Sequence, residues 1–198
     1  MSNKLALFDF DGTITTKDSL TDFIQYAVGK PSYYIGLFTL SPMLTAYTLK
    51  LIPNHIAKEN IITHFFKDWD AEQFQELAER YSREEIDKIT RPKAMEKIRW
   101  HQEQGHKVVI VSASMECWVK AWCDINNIDL ISTRLEIKNK KLTGKFATKN
   151  CYGIEKVNRV QEAYDISQYD HIYAYGDSRG DKELLALADE SFYRPFRG

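Results

Sequence analysis

The chain has 198 residues, enough for one substantial core or a core carrying a modest insertion. Its 27 basic and 28 acidic residues leave a net charge of -1, which lacks the electrostatic footprint of a nucleic-acid binder, so no nucleic-acid partner is expected. The cysteines, Cys117, Cys123 and Cys151, are odd in number and show no CxxC spacing, which argues against a disulfide framework or a zinc site.

The first apolar run, Leu5 to Phe8, does not alternate and predicts a strand buried on both faces. It is too short for a signal peptide, so a cytoplasmic setting is expected. It leads into Asp9-Phe10-Asp11-Gly12-Thr13. Residues i and i+2 of a strand share a face, so Asp9 and Asp11 are expected side by side where the strand ends, with Gly12 turning the chain. Two adjacent carboxylates repel unless a cation or a proton intervenes. The pair suits a magnesium site, a nucleophile with an acid/base partner, or both; turn-forming aspartates are the plainer alternative.

From about Asp18 to Thr90 the pattern is wholly helical, with helices expected at 19–28, 32–51, 55–67 and 71–88. We expect a helical cap over 18–90, with a core formed by 1–17 and 91–198. Within the cap, Pro31 to Leu49 carries no charged residue, close to the roughly 20 residues of a membrane span. Pro42 and the many hydroxyl groups argue against a span. A buried helix pair is the first expectation, and a membrane-facing surface the second.

Pro92 to Gln104 has helical spacing and stops at Gly105. Val108 to Val111 reads as a second buried strand, and Met115 to Asn126 as the helix after it. Ser112, Ala113 and Ser114 lie between. Hydroxyls and helix N–H groups there suit an anion, with Ser112 favoured for function and Ser114 for capping the helix. Leu135-Glu136-Ile137 and Lys141 to Gly144 flank a polar turn and predict a strand pair. Gly153 to Tyr164 is helical, and its early Lys156 opposes the helix dipole, which hints at a role elsewhere. His171 to Tyr175 is the third buried strand, and Arg179 to Ala188 a further helix. Asp177 follows that strand directly, well placed to ligate a metal. Asp181 is expected either to reach back and cap at Ser178 or to support the site from behind.

Alternating strands and helices predict an α/β, doubly wound, Rossmann-like parallel sheet with an inserted all-helical cap. Loops at the carboxyl ends of its strands converge on one crevice, bringing acids, a hydroxyl and a lysine around one point. That set suits a phosphate. Cations neutralise its charge, hydroxyl and backbone donors hold its oxygens, and a carboxylate attacks phosphorus.

In this order, "DFDGT", "VVIVSAS", "CYGIEK" and "YGDSRGD" resemble the four motifs of the haloacid dehalogenase superfamily, over about residues 4–16 and 91–193. The helical insertion after the first motif resembles subfamily IB, the phosphoserine-phosphatase-like branch. The apolar cap is similar to that of phosphatidylglycerophosphate phosphatases of the C type. The resemblance implies a phosphatase in which Asp9 is the nucleophile and forms an aspartyl-phosphate. Asp11 protonates the leaving oxygen and then activates water. It implies that Asp9, the backbone carbonyl of Asp11, and Asp177 hold Mg2+. Ser112, Ala113 and Lys156 hold the phosphoryl group, Thr13 fixes the turn and binds through its backbone, and Ser178 and Asp181 give support from behind. Asp18 stands where phosphoserine phosphatases carry a substrate-binding glutamate. Ala113 and Ser114 replace their two glycines. Both departures weaken the case for phosphoserine and leave a small or lipid phosphate ester as the expected substrate, with a weak contact between the cap and a membrane surface. A phosphomutase or phosphotransferase, or a phospho-accepting receiver-type module, are the alternatives.

Overall fold

The computed structural model describes residues 3–197. Strand β1 (Lys4–Phe8) is the centre of a five-stranded parallel sheet. β2 (Lys107–Met115) and β3 (Asp129–Thr133) lie on one side of it. β6 (His171–Gly176) and β7 (Glu190–Tyr193) lie on the other. From Leu5 to Phe8, β1 is apolar without a break because both of its faces are covered. Leu5 and Leu7 join one buried cluster with Val109, Val111 and Leu184, while Ala6 and Phe8 join another with Ile110 and Tyr175. That split is the two-residue strand period expressed as packing.

The helices are α1 (Ser19–Thr48), α2 (Asn54–Phe66), α3 (Ala71–Glu84), α4 (Ile86–Ile89), α5 (Pro92–Glu103), α6 (Glu116–Ile125), α7 (Ile154–Ala163) and α8 (Lys182–Leu187). The first four form an all-helical insertion between β1 and α5. Where the chain leaves and re-enters the sheet layer, the two passages are tied together. The Thr16 N–H donates to the Ile89 carbonyl at 2.7 Å, and the Arg91 N–H to the Ile14 carbonyl at 2.8 Å.

Four features differ from the expectations. β3 and β7 are additional strands at the two sheet edges. β2 runs through Ser112, Ala113 and Ser114 to Met115, with a register shift against β3 between Ser112 and Met115. Ser114 therefore caps no helix; Met115 holds that position, with no side-chain cap. The stretch 31–49 is not a buried pair. It is the second half of α1, set off by a break at Gly29 (φ 78°), and it packs only one side, through Tyr33 and Gly36, against α2. Pro42 sits inside it, and the Ser41 hydroxyl occupies the Phe38 carbonyl that Pro42 cannot serve, at 2.7 Å.

The expected strand pair is a hairpin of β4 (Leu135–Lys138) and β5 (Lys141–Phe146). It docks on the insertion: Asp68 N–H donates to Leu142 carbonyl and Leu142 N–H to Trp69 carbonyl, at 2.9 and 3.0 Å.

Candidate active site

The sheet order places β1 beside β6 at the point where successive connections turn from one side of the sheet to the other. In open α/β sheets that switch point forms a crevice at the carboxyl edge. The Asp9 N–H continues the ladder by donating to the Tyr175 carbonyl at 2.9 Å, which fixes Asp9 at the strand end. Gly12 then turns the chain at φ 81°. A β-carbon there would lie 2.6 Å from Asp177 Oδ2, so the close approach of the turn to Asp177 requires glycine.

Lys156, in the first turn of α7, is almost fully buried. Its ammonium donates to Asp9 Oδ1 and to Asp181 Oδ1, both at 2.6 Å. Burial lowers its pKa, but the Asp9 and Asp181 carboxylates outweigh that and hold it above the usual lysine value. Asp181 is tightly held. Its Oδ2 accepts from the Ser178 hydroxyl at 2.8 Å, the Ser178 N–H at 3.0 Å and the Asp177 N–H at 3.2 Å. Burial works against ionisation of Asp181, yet Lys156 and Ser178 keep its pKa below the ordinary carboxyl value. The capping and the supporting reading of Asp181 thus coexist in one side chain.

Asp9 differs. Burial pushes its pKa up to about 7, Asp181 and Asp11 add to that, and Lys156 only partly opposes it. Asp177 is likewise raised by burial, against the ion pair that Arg197 makes with its Oδ2. The Thr13 hydroxyl lies between these two acids, donating to Asp9 Oδ2 at 3.1 Å and approaching Asp177 Oδ1 at 3.4 Å. The Thr13 side chain thus ties the two acids together.

Asp11 points away from this cluster. Its Oδ1 accepts from the Ser19 N–H at 2.8 Å, and its Oδ2 accepts from the Ser114 hydroxyl. Burial and the nearby Asp18 raise its pKa to about 6, against the pull of Lys58 and Ser114. Asp18 caps α1 through the Thr21 N–H at 3.0 Å and also faces the cavity.

These groups share a cavity of about 210 Å³ lined by Asp9, Asp11, Asp18, Ser112, Ala113, Lys156, Asp177, Ser178 and Asp181. Every expected site residue is there except Thr13, which lies directly behind the acids. Three further lining residues escaped sequence reasoning: Asn54 and Lys58 from α2, and Tyr152 from the loop before α7. Lys58 donates to the Ala113 carbonyl at 3.1 Å, bridging insertion and sheet. Arg197, against Asp177, was also missed.

Oxygens of Asp9, Asp177 and Asp181 lie within 4.8 Å of one another. Carboxylates are the donors that a hard divalent cation selects. Asp181 is already saturated by donors, which leaves Asp9 and Asp177 as the pair that fits one. The lining holds five aspartates against two lysines, an acidic surplus that such a cation would offset.

A phosphatase is the class of protein that this fold and this acid-rich crevice define. The chain belongs to the haloacid dehalogenase-like hydrolase family, whose model matches residues 6–186. It is 35% identical over 198 residues to protein CicA of Caulobacter vibrioides, covering 98% of this chain and 87% of that protein. It is 28% identical over 205 residues to a probable phosphatase of Mycobacterium tuberculosis, covering 98% and 69% of the two chains. A phosphoserine phosphatase structure carrying a phospho-aspartyl intermediate analogue superposes with a TM-score of 0.71 at 18% identity, over 98% of this chain and 87% of that one.

Proposed function

We propose that this phosphatase is a Mg2+-dependent phosphomonoester hydrolase that works through an aspartyl-phosphate on Asp9. The acidic surplus of the cavity carries this reading, because a phosphate dianion would be repelled from it unless a divalent cation stood between. Asp9 and Asp177, with the Asp11 carbonyl, would hold Mg2+, which neutralises phosphate charge and the repulsion of the attacking carboxylate. Lys156 sits against Asp9 and offers its ammonium to the phosphoryl oxygens, and Ser112 offers a hydroxyl from β2, just before its register shift. A carboxylate oxygen of Asp9 bonds to phosphorus as the ester P–O bond breaks. Asp11 gives its proton to the departing oxygen. It then takes one from water, whose oxygen attacks phosphorus and releases inorganic phosphate and the Asp9 carboxylate.

Chelation with EDTA should abolish phosphate release, and added Mg2+ should restore it. Retained activity in EDTA would overturn the metal role. Counting inorganic phosphate against ester consumed separates hydrolysis from transfer: a ratio near one is expected, and phosphate appearing on a second alcohol instead would make the protein a phosphotransferase.

For the substrate, we propose an amphiphilic phosphate ester met at an anionic lipid surface. Along the second half of α1, Pro31, Tyr34, Ile35, Phe38, Pro42 and Thr45 recur at helical spacing and are exposed, Phe38 at 83% and Ile35 at 68%, and exposed Leu49 follows directly after the helix. Exposed apolar stripes of this kind mark interaction surfaces. The stripe carries no charge, and Lys30 and Lys50 flank it, so the complementary partner is apolar and negatively charged. A second cavity of about 710 Å³ shares Asn54 and Tyr152 with the first and extends to Tyr47, Lys50 and Leu51 at the end of α1. No helix among the described residues is long and apolar enough to cross a membrane, so the contact would be peripheral. The protein should sediment with vesicles containing phosphatidylglycerol but not with pure phosphatidylcholine vesicles, and Ile35→Ser with Phe38→Ser should abolish this. A salt-insensitive dimer formed through the same face would overturn the lipid assignment.

A further inference from the structure

We infer that Ser114 is a positioning residue for Asp11, the last link of a one-way hydrogen-bond chain that starts at the Trp118 indole. The inference rests on the proposed acid/base role of Asp11. Trp118 Nε1–H donates to Ser19 Oγ at 3.2 Å, Ser19 Oγ lies 3.1 Å from Ser114 Oγ, and Ser114 Oγ contacts Asp11 Oδ2. Trp118, Ser19 and Ser114 are all buried, so no solvent competes for these protons.

The direction of the chain is fixed at both ends. An indole N–H can only donate, and Asp11 Oδ2 accepts from Ser114 both when the carboxyl is ionised and when its acidic proton points into the crevice toward the leaving oxygen. Each serine has one proton, so Ser19 must donate to Ser114 and Ser114 to Asp11. The Ser19 N–H grips the other carboxylate oxygen at 2.8 Å. Ser19 thus holds Asp11 twice, directly through its backbone and indirectly through its side chain. The carboxyl group has little freedom to rotate.

The local backbone explains why position 114 can do this. The register shift between Ser112 and Met115 frees two residues of β2 from pairing with β3. Irregularities of this type re-aim side chains beside active sites. The Ser114 N–H donates to Ser112 Oγ at 3.0 Å, which locks the distortion. The phosphate-facing hydroxyl and the Asp11-facing hydroxyl are therefore set by one feature. Proton transfer needs the acid within hydrogen-bond reach of the leaving oxygen, so a loosened Asp11 should show in the chemical step and not in binding.

A double-mutant cycle on substituted phenyl phosphates of graded leaving-group acidity tests this. Ser114→Ala should lower kcat/KM, which reads the step that forms the aspartyl-phosphate, about 10- to 100-fold for the poorest leaving group, leave it near wild type for the best, and leave the inhibition constant of inorganic phosphate unchanged. Ser114→Thr should restore most of the loss. In an Asp11→Asn background, Ser114→Ala should cost nothing further. Losses that multiply in the double variant, or a loss independent of the leaving group, would overturn the inference. Should Ser114→Ala fail to fold, Ser19→Ala cuts the chain one link earlier and should show the same leaving-group dependence at smaller amplitude; uniform loss there would also overturn it. An Asp11→Asn enzyme with wild-type leaving-group dependence would instead remove the acid role of Asp11, and the Ser114 assignment with it.

Discussion

Asp9→Asn should lower phosphatase turnover on the order of 10⁴-fold or more, while the metal-free protein stays folded and becomes no less stable. The amide keeps the shape of the side chain and can still accept from Lys156, but it cannot serve as the attacking oxyanion. The stability side of the prediction follows from the burial that pushes the Asp9 pKa up to about 7, against an ordinary value of 3.8. A folded-state pKa above the unfolded one means that the group's contribution is fully present at low pH and is lost as pH rises through about 7. Asparagine has no proton to lose. In EDTA, wild type minus variant stability should therefore decline as pH climbs from 4 toward 7, with the variant equal or ahead at pH 8. Melting curves at pH 5 and pH 8 check the sign, and phosphate release checks the activity. Residual turnover near wild type would take the nucleophile assignment away from Asp9; a variant that loses more ground at pH 8 than at pH 5 would contradict the account of its burial.

How much of this was legible in the sequence depends on how far each signal has to travel. β1, β2 and β6 announce themselves because strands covered on both faces read as unbroken apolar runs. β3 and β7 do not. Asp129-Leu130-Ile131-Ser132-Thr133 and Glu190-Ser191-Phe192-Tyr193 are short, mixed edge strands whose pairing depends on neighbours already being in place. The acids at 9, 11, 177 and 181 were readable because each lies next to a strong strand or helix signal, and the fold's geometry does the gathering. Lys58, Asn54 and Arg197 reach the site from the insertion and from the chain's end, and nothing local in their sequence marks that contact. Ser114 was misread for a physical reason. A serine just before a helical pattern is the ordinary signature of a cap, and only the two unpaired residues of β2 redirect it. The apolar stretch 31–49 was placed inside because uncharged helices usually pack. Here one side of it packs and the other does not.

Lys156→Met should also silence the enzyme, yet it should shift stability the opposite way from Asp9→Asn. The lysine is the shared partner of two buried carboxylates, each 2.6 Å from its ammonium. Removing it leaves Asp9 and Asp181 facing each other with no cation, and loss of one member of a buried ionic cluster typically costs about 3–5 kcal/mol. Methionine matches the apolar stem, so packing changes little and the loss is chiefly electrostatic. Part of the cost can be relieved by protonating a carboxyl. Loss of the ammonium pushes the Asp9 pKa still further above its wild-type value of about 7, so the gap to wild type should be widest at alkaline pH and should narrow as pH falls and the variant takes up a proton that wild type does not. Adding Asp181→Asn should recover stability but not turnover, because the phosphate would still lack its ammonium. Urea unfolding in EDTA measures the first effect and phosphate release the second. If Lys156→Met unfolds at wild-type urea concentrations at pH 8, the ammonium is not what offsets the buried acids. If Asp181→Asn fails to restore stability to Lys156→Met, the deficit lies in lost packing and not in unpaired charge.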